Sequence, residues 1–73
     1  MSIVEELADK LAKDTIEAAE TLDDDLLINR VAEVIGASSP STEEAFRTAV
    51  RVRMAEARAR KYLAEQLARK SPG

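Results

Sequence analysis

The chain has 73 residues and a net charge of −3, and it contains neither cysteine nor histidine. This composition allows one domain and excludes disulfides, thiolate metal sites and chemistry that depends on histidine. The only aromatic residues are Phe46 and Tyr62, and so short a chain buries only about 60% of its unfolded surface. We therefore expect a small aliphatic core that a second copy completes.

The first predicted helix covers about residues 2–21. Ser2 followed by Glu5 is typical of a capping box at a helix N-terminus. Apolar residues then recur at spacings of three and four, which predicts one stripe along the helix. Its members are Val4, Leu7, Ala8, Leu11, Thr15, Ala18 and Leu22.

A second helix is predicted over about residues 23–35, because its aliphatics cannot share a straight helix with the first stripe. At about 100° per residue, Leu11 and Leu22 lie on one side of such a helix and Val31 on the opposite side. A break near residues 21–25 removes the conflict. Thr21 or Asp23 then caps the second helix, and the aspartates that follow occupy its first turn.

The stretch Gly36–Ser41 predicts a loop over residues 36–41, with Gly36 ending the second helix. A long third helix over about 42–70 follows, and residues 71–73 form a frayed tail. Two caps are open for this helix: a capping box of Ser41 with Glu44, or Ser39 with Pro40 in the first position.

The third helix carries two adjacent apolar strips. The first strip consists of Phe46, Val50, Met54, Ala57, Ala64 and Ala68. The second strip consists of Ala45, Ala49, Val52, Leu63 and Leu67. Arg53, Glu56 and Arg60 between them have the spacing for ion pairs along the helix. Together the elements predict an all-α fold, a small hairpin or three-helix protein in one domain over 1–73, which dimerisation completes into a bundle.

The run Asp23-Asp24-Asp25 has two interpretations. A calcium loop needs carboxylates at alternate positions and a glycine for its sharp turn. Here the run is followed by Leu26 and Leu27. Capping and solvation explain the run better than a divalent metal, so we predict no metal site.

Two surfaces are candidates for binding. The predicted interface consists of Leu27, Ile28, Val31, Ile35, Phe46, Val50, Met54, Leu63 and Leu67. The basic residues Arg47, Arg51, Arg58 and Arg69 line one side of the last helix together with Tyr62. They either bind an anionic partner or remain solvated and pair with the acidic first half. Residues 1–37 carry ten acids and three bases, net −7, whereas residues 38–73 carry four acids and eight bases, net +4.

Catalysis has little support in the sequence. Ser38, Ser39 and Ser41 have no histidine to activate them, and no glycine-rich phosphate loop exists. We expect no enzyme activity, cofactor or small-molecule substrate. The acidic N-terminus and the lack of a membrane-length apolar run predict a soluble cytoplasmic protein with no membrane partner.

The segment TLDDDLLINRVAEVIG, followed by STEEAFRTAVRVR, resembles the helical part of ribbon-helix-helix antitoxins over residues 21–53. The resemblance implies a DNA-reading strand before Leu22, where DTIEAAET is a poor strand, and a shorter loop after Gly36. It makes a DNA-binding regulator the alternative function. The favoured function is a non-enzymatic protein–protein interaction module, such as a regulator, adaptor or chaperone, that acts as a helical homodimer.

Overall fold

The computed structural model describes residues 2–70, and its regular elements are three helices. Helix α1 spans Ile3–Leu22, α2 spans Leu27–Ser38 and α3 spans Pro40–Lys70. No strand occurs between residues 2 and 70, which confirms the all-α prediction. The predicted tail over residues 71–73 lies outside the described residues.

The start of α1 has the predicted capping box. The Ser2 hydroxyl accepts a hydrogen bond from the Glu5 amide at 3.1 Å, and the Glu5 carboxylate accepts one from the Ser2 amide at 3.0 Å. Two amides that the helix leaves without internal partners are satisfied in this way.

The joint between α1 and α2 is a reversal of the chain at Asp23. Asp23 adopts the left-handed conformation with φ 51° and ψ 48°. Its amide donates to the Glu20 carbonyl at 3.2 Å, and the Asp24 amide donates to the Ala19 carbonyl at 2.9 Å. This pair of bonds is a Schellman motif, with aspartate at the position that glycine usually occupies. The predicted break is confirmed.

The aspartates, however, do not lie in the first turn of α2, so that prediction is wrong. Helix α2 begins at Leu27, and no side chain in the described part of the chain caps it. Instead Asp24 shapes the linker, because its carboxylate accepts a hydrogen bond from the Leu26 amide at 3.0 Å. The short Asp24 side chain can bond either to the amides of this turn or to the first amides of a helix, and here it bonds to the turn.

The predicted loop over residues 36–41 is also wrong, since only Ser39 separates α2 from α3. Gly36 does not end α2; it stays helical without a positive φ, and α2 continues for two further residues. The Ser39 hydroxyl accepts from the Thr42 amide at 3.2 Å, and Pro40 occupies the first helical position, where its missing N–H costs nothing. The Ser39 cap is therefore the one that forms.

The buried core is small and rich in alanine. It consists of Ala8, Ala12, Ala32, Phe46 and Val50. Alanines on α1 and α2 let those helices approach α3 closely, and Phe46, the one large side chain that is fully buried among the described residues, fills the space between them. The face of α1 that packs inward is thus its alanine face, and the leucines of the predicted stripe lie beside it.

Helices α1 and α3 run in the same direction, because higher residue numbers of α1 meet higher numbers of α3. Glu5 and Asp9 share one groove with residues 41–52, whereas Lys13–Glu20 share a second groove with residues 53–58. The molecule measures 55 × 30 × 13 Å. Its radius of gyration is 15.3 Å, against about 11 Å for a compact domain of this length. The chain is therefore a flat slab of helices.

Candidate interaction surfaces

The predicted interface residues divide into buried, half-buried and exposed groups. Phe46 and Val50 are 0% and 7% exposed, so they belong to the core and not to a surface, which corrects their assignment. Ile28, Val31 and Ile35 are half-buried against that core, and Leu27 is also half-buried. These positions hold α2 on α3, because their helical period brings them to the inner face of α2.

The remaining predicted interface residues are exposed. Met54, Leu63 and Leu67 are exposed by 40%, 55% and 65%. Beyond Arg53, every residue of α3 to Lys70 except Gln66 is exposed. A helix of 31 residues is about 46 Å long, and α1 and α2 cover mainly its first half. Among residues 2–70, no other helix covers the leucines of the second half.

The sequence-based interface omitted a row of aliphatics on α1. Val4, Leu7 and Leu11 are 39%, 60% and 40% exposed. They belong to the predicted stripe, of which Ala8 and Thr15 do pack inward, together with Ala12 from outside the stripe. Thr15 satisfies its hydroxyl by donating to the Leu11 carbonyl at 2.7 Å. The sequence predicted one stripe, and the structure divides it into a buried alanine side and an exposed leucine side.

A groove of about 630 Å³ runs between the first turns of α1 and the first half of α3. Its apolar floor consists of Ala45, Ala49 and Val52, which belong to the second strip of α3. Three carboxylates also line the groove, those of Glu5 and Asp9 on α1 and of Glu44 on α3. Neither lysine nor arginine is found among the described residues that line it. The groove therefore suits an apolar segment with basic flanks.

One ion pair bridges α1 and α3 at the end of this groove. Arg53 donates to Asp9 through two parallel hydrogen bonds of 2.7 and 2.8 Å. The hydrogen bond from Arg53 lowers the pKa of Asp9 and raises that of Arg53. The predicted pairing of Arg60 with Glu56 also forms, whereas Arg53 turns to Asp9. A contact between residues so distant in sequence leaves no periodic signal in the chain.

The basic row of α3 is only partly available to a partner. Arg47 pairs with Glu43 one turn earlier, at 2.9 Å. Arg51, Arg58 and Arg69 are exposed, and none of them forms an ion pair with another described residue. Three arginines thus remain on the solvent side of the helix.

The acidic linker is structural. Asp23 and Asp24 close the end of α1 as described above, and Arg30 lies 3.6 Å from the Asp24 carboxylate. Within residues 2–70, no three acidic side chains converge in a way that could hold a metal ion. None of the described helices is both long and apolar enough to cross a bilayer.

Comparisons with known proteins give no relative: no family model, curated protein or solved structure matches the chain significantly. The resemblance to ribbon-helix-helix antitoxins also fails in the fold, because the segment before Leu22 that would supply the DNA-reading strand is helical. The function must therefore be argued from the surface itself.

Proposed function

We propose that the chain is a non-enzymatic protein–protein interaction module that acts as a helical homodimer. The observation that supports this most directly is the uncovered second half of α3, where Leu63 and Leu67 are more than half exposed. Burying apolar surface gains about 25 cal/mol per Å². Exposed leucines at helical spacing on an extended helix therefore favour association with another helix.

The small core points in the same direction. Among the described residues only Phe46 and Val50 are large hydrophobic side chains with less than a tenth of their surface exposed. In a domain of this size, a single hydrophobic core rarely contributes more than about 3–5 kcal/mol to the free energy of unfolding. A second copy would add buried surface to a slab that is 13 Å thick along its shortest axis.

Helix α1 supplies a separate surface for a further protein. Val4, Leu7 and Leu11 are exposed along one side, with spacings of three and four. Such a row is suited to an amphipathic helix of a partner. A regulator, adaptor or chaperone would use the dimer as a scaffold and this row for recognition.

Sedimentation equilibrium between about 1 and 100 µM tests the proposal, because this range detects a dimer with a Kd near 1 µM, a binding free energy of about −8 kcal/mol. We expect a dimer whose dissociation is measurable in this range. A monomer that unfolds cooperatively and binds no hydrophobic dye would overturn the proposal.

A second candidate is binding to an anionic partner such as duplex DNA. The exposed row of Arg51, Arg58 and Arg69 supports it, with Tyr62 on the same side. Such a complex should weaken steeply with salt, and replacing Arg51 and Arg58 by Glu should abolish it. Absence of binding to duplex DNA at low salt would end this alternative. The net charge of −3 makes it the weaker of the two.

A further inference from the structure

The second strip of α3 carries small side chains toward the N-terminus of the helix and large side chains toward its C-terminus. Ala45 and Ala49 form part of the groove floor, whereas Leu63 and Leu67 project from the uncovered half of the helix. Glu56 lies midway between these two pairs in the sequence, and its carboxylate is paired with Arg60 of the same helix. The strip can therefore pair with itself when two copies of α3 run in opposite directions.

We propose that the occupant of the groove is a second copy of this chain, whose α3 enters it antiparallel with the two-fold axis beside Glu56. This inference rests on the proposed self-association and adds the surface and the orientation. Leu63 of each copy then lies over Ala49 of the other, and Leu67 lies over Ala45.

The register follows from size complementarity. Shifting the helices by one turn in either direction leaves one leucine opposite a residue outside the apolar strip: Arg53 in one direction, Ser41 in the other. Of these three registers, only the one centred on Glu56 places both leucines over alanines. Pairs of small and large residues interdigitate at the density of a protein interior.

Charge complementarity supports the same arrangement. Among the described residues, the groove is lined by three carboxylates and no basic side chain; Asp9 already pairs with Arg53, which leaves Glu5 and Glu44 for a partner. Residues 58–70, which would enter it, carry five bases and one acid, net +4. At the outer end of the groove, Lys70 of the second copy lies level with Thr42, about 3 Å along the axis from Glu44 and within reach of its side chain. An isologous contact of this kind occurs twice in the dimer.

The first test compares variants by sedimentation equilibrium. Leu63→Glu should raise the dimer Kd at least tenfold, because it places a carboxylate on the groove floor among other carboxylates. Val34→Glu is the matched control, since Val34 is exposed by 74% on α2 and does not line the groove. Both side chains are exposed, so circular dichroism should show a folded chain in each case.

The second test is a charge exchange. Glu44→Lys alone and Lys70→Glu alone should each weaken the dimer, since each leaves like charges facing one another. The double variant restores opposite charges within the same symmetric interface and should recover most of the affinity. Recovery is a result that general damage to the fold would not give.

The third test measures orientation with a spin label on Arg69→Cys, since the chain has no other cysteine. Antiparallel helices centred on Glu56 separate the two labels by about 39 Å along the axis, whereas a parallel pair keeps them within about 20 Å. A wild-type monomer at 100 µM would overturn both this inference and the proposed self-association. A dimer unaffected by Leu63→Glu, or one with closely spaced labels, would overturn this interface alone.

Discussion

The Arg53 guanidinium holds the Asp9 carboxylate in a two-pronged hydrogen bond, with Nε 2.7 Å from Oδ1 and Nη2 2.8 Å from Oδ2. It is the one ion pair between α1 and α3 among residues 2–70. Arg53→Lys should lower the Tm, because a single ammonium cannot reproduce both bonds. Arg51→Lys is the control, since exposed Arg51 has no such partner. Equal Tm values in thermal melts followed by circular dichroism would contradict a stabilising role.

The same contact predicts a pH dependence. The hydrogen bond from Arg53 lowers the pKa of Asp9, and the backbone hydrogen bond from Ser2 lowers that of Glu5. A depressed pKa adds stability that is present above the unfolded value, near 4, and is lost as pH falls through the folded value. Tm should therefore stay level from pH 7 to about pH 5 and fall below about pH 4. Asp9→Asn combined with Glu5→Gln should reduce the fall in Tm at acid pH. If Tm depends on pH as in the wild type, these two carboxyl groups do not cause the fall.

Asp23→Gly should stabilise the chain by about 1 kcal/mol. The left-handed conformation at φ 51° is strained for residues with a Cβ and free for glycine. Glycine also removes a negative charge from the C-terminus of α1, where the helix dipole disfavours anions. Urea denaturation measures the change. Asp25→Gly is the matched control without a positive φ and should be neutral or destabilising; equal effects of the two would refute the strain argument.

The sequence was enough to predict the helices and their first joint. The Ser2–Glu5 cap and the shift of apolar phase between Leu22 and Leu27 are local signals, and both are confirmed. The second joint was misplaced because Gly36 and three nearby serines suggested a loop. One serine cap and one proline at the first helical position are enough to restart the helix after Ser39.

The core and the surface could only partly be predicted. Phe46 and Leu63 both lie on apolar strips of one helix, and local sequence does not say where α1 and α2 stop covering it. The choice between alanine and leucine rows on α1 depends likewise on how closely two helices approach. Which residues are buried depends in both cases on tertiary packing, and helical periodicity alone does not determine it.

Phe46→Ala should destabilise the chain by about 3–5 kcal/mol and leave much of it unfolded. Phe46 is 0% exposed and is the largest buried side chain of the described core, and so small a core cannot collapse around the cavity. Leu67→Ala is the comparison, with a side chain that is 65% exposed. At concentrations below the dimer Kd it should change stability by less than about 0.5 kcal/mol. Chemical denaturation that gave similar losses for both would place Phe46 outside the core.

Gly36→Ala tests a close approach between α2 and α3. A Cβ at Gly36 would lie 2.8 Å from Cδ of Glu43, so the Glu43 side chain must swing away and release Arg47. Losing that pair costs about 0.3–0.5 kcal/mol, whereas alanine in a helix interior gains about 0.8–1 kcal/mol over glycine. The gain in helix propensity exceeds the loss of the ion pair, so urea denaturation should show a net stabilisation of about 0.5 kcal/mol.

A double-mutant cycle separates the two effects at Gly36. In the background of Glu43→Ala there is no carboxylate to displace and no ion pair to lose. Gly36→Ala should then give the full helix-propensity gain of about 0.8–1 kcal/mol. A coupling of about 0.3–0.5 kcal/mol between the two sites would measure the interaction of Glu43 with Arg47. If Gly36→Ala destabilises the chain in both backgrounds, the obstacle is packing of α2 against α3 and not the Glu43 side chain.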